Sequence, residues 1–173
     1  MGMILNIYTD AGSGEHNDVW PKEWAVDYIR VWKSNEGYQK VTKEYNIQNR
    51  QTGHYMYIDP DSTAVKYGPL TDENAAYAKW EKVKRGDYVL LKNCKTGEYL
   101  HIENLTGYVE HGEVPTTWWS AQWTESEVDG YTRLINRWQP DYSIHTEDYQ
   151  WLIQYGNVPT TYWTSQWRFI PVS

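Results

Sequence analysis

An all-β fold built from three repeats is what this sequence predicts, and three observations predict it. Segments 49–80, 93–123 and 136–167 share a pattern: an Asn near a turn, an acid in the middle, a Tyr-Gly or His-Gly turn and a closing Trp. Their closing tryptophans, Trp80, Trp123 and Trp167, are spaced 43 and 44 residues apart, the regular period of a repeat architecture. Each unit is rich in Tyr, Trp, Val and Ile and is cut every few residues by Gly, Pro, Asn or Asp, which reads as short strands rather than helices. Units of this size cannot each bury a core alone. Three of them with about four strands each fit a β-trefoil, with six strands in a short barrel and six in capping hairpins, so that no long edge stays free.

Within that frame the recurring apolar positions read as core. Trp80, Trp123 and Trp167 are expected to be symmetry-related plugs, as are Val65, Val109 and Ile153, and the set Ile58, Ile102 and Ile144. Cys94 is the only cysteine, so no intrachain disulfide and no cysteine-based zinc site can form, and it reads as a small packed residue.

Composition limits the ligand. There are 16 Tyr and 11 Trp but one Phe, a bias toward aromatics that join a large apolar face to a polar handle and suit a surface meant to be touched. A net charge of −7 opposes phosphate-backbone binding, so no nucleic-acid partner is expected. No apolar run approaches the ~20 residues of a membrane span. Aromatics without a basic field point to a neutral ligand.

A pyranose offers a face of C–H groups and a rim of hydroxyls, so its site needs an exposed aromatic platform and a carboxylate that accepts from two hydroxyls. Repeats two and three supply both, because Trp119 aligns with Trp163 and Glu103 with Glu147. Repeat one has Ala76 at the platform and Asp59 at the acid. A core plug lost at Ala76 would leave a costly Trp-sized hole, whereas an exposed platform can be lost freely. Trp119 and Trp163 are therefore the expected platforms, with Trp118 and Tyr162 taking their place if the register is shifted by one. Glu103 and Glu147 are the expected hydroxyl acceptors, solvated or turn-capping acids being the alternative. His101 and His145 also align, as ligand contacts or as packed residues. Repeat one, with Asp59 and the aromatic Tyr77, is expected to be the weakest site or none.

Catalysis by the repeats is not expected. Glycosidase carboxyls lie roughly 5–10 Å apart across one bond, and equivalent positions of a threefold barrel face outward too far apart for that. No H-E-x-x-H spacing, phosphate loop or G-x-S-x-G elbow occurs, and no cofactor is implied.

Two resemblances refine this reading. The string GEYLHIENLTGYVE at 97–110, followed by VPTTWWSAQW at 114–123 and its partner VPTTYWTSQW at 158–167, resembles carbohydrate-binding module family 92. That likeness covers about three quarters of the chain and implies a three-site β-trefoil that binds β-1,3- and β-1,6-linked glucans through a Trp and a Glu per site. Residues 1–34 stand outside the repeats. Their ending, WPKEWAVDYIRVW at 20–32, is similar to the closing strand of a glycoside hydrolase family 16 catalytic sandwich, while the Glu-x-Asp-x-(x)-Glu strand of that family is absent.

The domain reading is thus a hydrolase remnant at 1–34, a linker at 35–44 and a trefoil at 45–173. The remnant strand would cover its apolar side on the trefoil, on a second copy of itself, or not at all. The expected function is a secreted, non-catalytic module that binds β-glucan multivalently and targets a hydrolase domain in cis, its signal peptide lying before residue 1. A protein-interaction trefoil or a binder of another polysaccharide, such as a marine galactan, is the alternative.

Overall fold

The computed structural model describes residues 43–147 and 150–172. The expected remnant strand and nearly all of the expected linker lie outside the described residues.

Among the described residues twelve short strands follow in groups of four: β1 (Glu44–Asn49), β2 (Tyr55–Tyr57), β3 (Lys66–Gly68) and β4 (Lys79–Arg85); β5 (Tyr88–Asn93), β6 (Tyr99–His101), β7 (Glu110–Gly112) and β8 (Trp123–Val128); β9 (Tyr131–Asn136), β10 (Ser143–His145), β11 (Gln154–Gly156) and β12 (Trp167–Pro171). The outer strands of each group make a closed ring, β1 to β4 to β5 to β8 to β9 to β12 and back to β1, all antiparallel. The inner pairs β2–β3, β6–β7 and β10–β11 form three hairpins. A six-stranded barrel capped by three hairpins is a β-trefoil, and closure leaves the barrel with no free edge.

The cap closes on its axis through the backbone. Val65 N–H donates to the Val109 carbonyl at 2.8 Å, Val109 to Ile153 at 2.7 Å, and Ile153 back to Val65 at 2.9 Å. All three side chains are buried, so this ring of hydrogen bonds satisfies backbone groups that water cannot reach. Further along the barrel strands, away from the cap, Lys82 pairs with Glu125 and lies 3.6 Å from the Phe169 ring.

Trp80, Trp123 and Trp167 are fully buried. Each indole N–H donates to a carbonyl of its own repeat's first cap strand, Met56 at 3.1 Å, Leu100 at 3.3 Å and Ile144 at 3.3 Å. The bond ties barrel to cap and leaves no buried donor unpaired. It also corrects the expected register: Ile144 corresponds to Met56 and Leu100, and the buried Thr146 corresponds to Ile58 and Ile102.

The repeat asparagines fasten one unit to the next. Asn49, Asn93 and Asn136 are buried, and their Nδ2 groups donate to the carbonyls of Thr164, Tyr77 and Ser120 at 2.8, 2.8 and 2.9 Å. Their Oδ1 atoms accept backbone N–H bonds from the following turn, at Gln51 and Thr52, Lys95 and Thr96, and Trp138 and Gln139. Each carbonyl so held belongs to the residue just after an expected platform position. The residue after Asn93 is Cys94, which is exposed and not packed. Partial desolvation, helped by the nearby carboxylates of Glu44 and Glu81, pushes its thiol pKa up to about 11.

Candidate ligand-binding sites

Between the cap strands and the next barrel strand each repeat makes a short 3-10 turn, Ala75–Ala78, Trp119–Ala121 and Trp163–Ser165. In the second and third, Ser120, Ala121, Thr164 and Ser165 point inward and are buried, which turns Trp119 and Trp163 outward with 54% and 50% exposure. Trp118 and Tyr162, one residue earlier, are also exposed.

One face of each platform is occupied by an arginine from the following repeat. The Arg137 guanidinium carbon lies 4.2 Å from the Trp119 ring and 4.2 Å from Tyr88. Arg50 repeats this with Trp163 at 4.3 Å and Tyr131 at 4.5 Å. Glutamines lock both stacks: Arg137 donates to Gln122 Oε1 at 2.6 Å and Arg50 to Gln166 Oε1 at 2.5 Å. The same glutamines donate through Nε2 to the Thr116 and Thr160 carbonyls at 2.9 and 2.8 Å, closing the loop that leads into the platform. Each indole is thereby pinned from behind, with its other face open.

At the corresponding positions of repeat one every member of the stack differs. Glu44 stands for the Tyr, Ala76 for the Trp, Cys94 for the Arg and Lys79 for the Gln. Lys79 pairs with Glu44 at 3.7 Å, so the position holds a surface ion pair in place of an aromatic platform.

The three acids differ as well. Asp59 lies 2.5 Å from Lys66 Nζ, and that bond, with the Asp61 backbone N–H, holds its carboxyl below the usual range. Its depression is lined by Tyr57, Pro60, Glu73 and Tyr77 among others. Tyr77 sits at the position of Ser120 and Thr164, packed against the core. Glu147 accepts a hydrogen bond from Thr164 Oγ1. Glu103 has no side-chain partner among the described residues, and it lines a cleft of about 410 Å3 with Trp118, Trp119, Ser120 and Trp138.

His101 and His145 are buried below these acids. Their Nδ1 atoms accept the backbone N–H of Glu103 at 3.2 Å and of Glu147 at 3.3 Å, so Nδ1 carries no proton and the rings set the direction of the loop bearing the acid. Burial pushes the His101 pKa down, which keeps the ring neutral. Gly112 and Gly156 make room for them, since a Cβ at either would lie 3.1 Å from the imidazole Nε2.

The structure thus gathers Trp118, Trp119 and Glu103 in one cleft, places Trp163 and Tyr162 on the corresponding turn of repeat three, where the turn's Thr164 bonds Glu147, and keeps His101 and His145 beneath the acids. Sequence reasoning missed Arg50, Arg137, Tyr88, Tyr131 and Trp138. The available signal was the residue after each repeat Asn: Arg50 and Arg137 stand in the repeats that follow one with a platform Trp, counting the first repeat as following the third, and Cys94 stands in the repeat that follows Ala76. It also passed over Trp151, exposed at φ 65°, whose ring centroid lies 5.4 Å from His54 and 5.8 Å from Tyr67. No cluster able to hold a metal occurs among the described residues.

Comparison with known proteins adds to this geometry. No protein-family model matches the chain, and no curated protein matches it in sequence. Among solved structures it is similar to a GlcNAcα1-4Gal releasing endo-β-galactosidase from Clostridium perfringens, at 63% identity and a TM-score of 0.76 over 95% of this chain and 41% of that one. It is also similar to the designed threefold-symmetric protein ThreeFoil (18% identity, TM-score 0.65, 75% of this chain and 99% of that one) and to an exo-β-1,3-galactanase from Clostridium thermocellum (19%, 0.62, 78% and 31%). The last two likenesses show the fold alone. The chain spans about two fifths of the endo-β-galactosidase.

Proposed function

We propose that this trefoil is a non-catalytic carbohydrate-binding module that holds a glycoside hydrolase domain of the same polypeptide against its glycan outside the cell. The observation that carries the reading is the Tyr–Arg–Trp stack, present twice with a carboxylate on the neighbouring loop and exchanged as a set in repeat one. A ring pinned on one face and open on the other is what the C–H face of a sugar stacks on, and the acid supplies the hydroxyl acceptor.

The hydrolase tether is supported by matched length. The low-identity structures match 75% and 78% of this chain, about the extent of the trefoil, whereas the endo-β-galactosidase matches 95%. The additional match reaches into the first 42 residues, where the sequence is similar to a hydrolase closing strand.

That same relative favours a galactose-containing glycan, while the likeness to family 92 favours β-1,3- or β-1,6-glucan. Affinity electrophoresis against a glycan ending in GlcNAcα1-4Gal, a β-1,3-galactan, laminarin and pustulan tests both. Retardation by the galactose-containing glycans, lost in the W119A/W163A double variant, is the expected result. Retardation by laminarin or pustulan alone would return the β-glucan reading, and none by any glycan would favour a protein-binding trefoil.

A further inference from the structure

The two intact platforms stand in unlike surroundings. In repeat two the cleft has a second wall, Trp138, contributed by the turn after Asn136 and held by the bond from its backbone N–H to Asn136 Oδ1 at 2.9 Å. Trp138 is 39% exposed and directly follows Arg137, the residue that pins Trp119. The corresponding residue at the repeat-three site is Gln51, exposed and without a ring. The polar floors differ too. Thr164 Oγ1 bonds Glu147 in repeat three, so that pair satisfies itself. In repeat two Ser120 is 2% exposed, its Oγ has no partner among the described residues, and Glu103 beside it has none either. An unpaired buried hydroxyl under an open carboxylate is unfavourable unless something completes the set, and such exceptions ask for an explanation.

Building on the sugar-binding reading, we propose that the repeat-two cleft is a two-ring site. One sugar stacks on Trp119, the next lies against Trp138, and Glu103 takes hydroxyls of the bound rings, with the buried Ser120 hydroxyl left to support the carboxylate from beneath. Repeat three, with Trp163, a self-paired acid and Gln51, takes a single terminal sugar. The ligand class is a disaccharide or longer glycan for repeat two and a chain end for repeat three.

Calorimetry on single-site proteins tests this. W163A leaves repeat two and W119A leaves repeat three. Each is titrated with the disaccharide GlcNAcα1-4Gal and with galactose, and in parallel with laminaribiose and glucose. In W163A the preferred disaccharide should bind roughly tenfold more tightly than its monosaccharide, the worth of one further stacked ring. In W119A the two should differ by less than about threefold. Adding W138A to W163A should bring the ratio down to that of W119A with unchanged thermal stability, and adding S120A should weaken both ligands. A ratio untouched by W138A, or an equal ratio in W119A and W163A, overturns the two-ring site while leaving the module reading intact. Failure of the wild-type protein to bind any of these sugars overturns both.

Discussion

Arg137 and Trp119 sit in different repeats, yet the guanidinium lies 4.2 Å from the indole. Every platform therefore spans a repeat boundary, as Arg50 and Trp163 do where the last repeat meets the first. An arginine suits this place because its planar cation stacks on a ring while its N–H groups reach Gln122. The cation also leaves the far face of the indole open to a neutral ligand.

Arg137→Ala should therefore weaken sugar binding at the repeat-two site by about twofold to fivefold, the ~0.5–1 kcal/mol of an exposed cation–π contact. Thermal stability should hardly change. Arg137→Lys should recover only part of the loss, because an ammonium cannot stack and bridge to Gln122 together. Calorimetry on the W163A background reads this directly, and unchanged affinity in R137A would show that the indole needs no support from behind.

Core and surface tryptophans should separate cleanly. Trp123 is fully buried with its N–H bonded to Leu100, so Trp123→Ala should cost about 3–5 kcal/mol and lower the melting temperature sharply. Trp119→Ala should leave the melting curve in place and weaken binding by about 1–3 kcal/mol, by analogy with base stacking. Thermal denaturation paired with affinity electrophoresis checks both, and a large stability loss in W119A would move that residue into the core.

Much of the fold was legible because threefold geometry imprints on sequence wherever the same side chain meets the same surroundings. The closing tryptophans and the Val65, Val109 and Ile153 set are of that kind. The register of Ile144 was misread because Thr146, a polar residue, fills the place of Ile58 and Ile102, and matching by apolarity slid the alignment to the nearest Ile. The arginine stacks were not legible. An Arg after a turn Asn looks like a solvated residue, and its partner lies in the preceding repeat, beyond the reach of a within-repeat comparison. Cys94 was expected to pack because a lone cysteine reads as a small apolar residue; the sequence aligns it with Arg50 and Arg137, but only the structure shows that this position lies on the surface.

Acidification should weaken the fold through His101. Burial lowers its folded pKa below the unfolded 6.5, so near and below that pH the unfolded chain binds more protons, and stability falls as pH drops through 6.5 toward the folded value. Its Nδ1 would also have to give up the Glu103 N–H bond on protonation. Melting temperatures between about pH 8 and 5 should decline for the wild type and decline less for His101→Gln. A pH profile identical in the two proteins would remove His101 from the titration.

Repeat one offers a constructive test. Its stack positions carry Glu44, Ala76, Lys79 and Cys94, and its acid is bound to Lys66, which stands where repeat three has Gln154. Ala76→Trp alone should yield an indole with no cation behind it and a neutralised acid beside it, and hence little binding. Glu44→Tyr, Ala76→Trp, Lys79→Gln and Cys94→Arg together with Lys66→Gln should restore the whole set and free Asp59. All five positions lie at least partly on the surface, so the exchange should leave the core untouched. A short sugar ligand should then titrate to about three sites per chain instead of about two. Binding to a polymeric glycan should tighten further, because an added site engages at high effective concentration. A folded quintuple variant that still titrates to two sites would show that the stack and the acid are not sufficient to make a site.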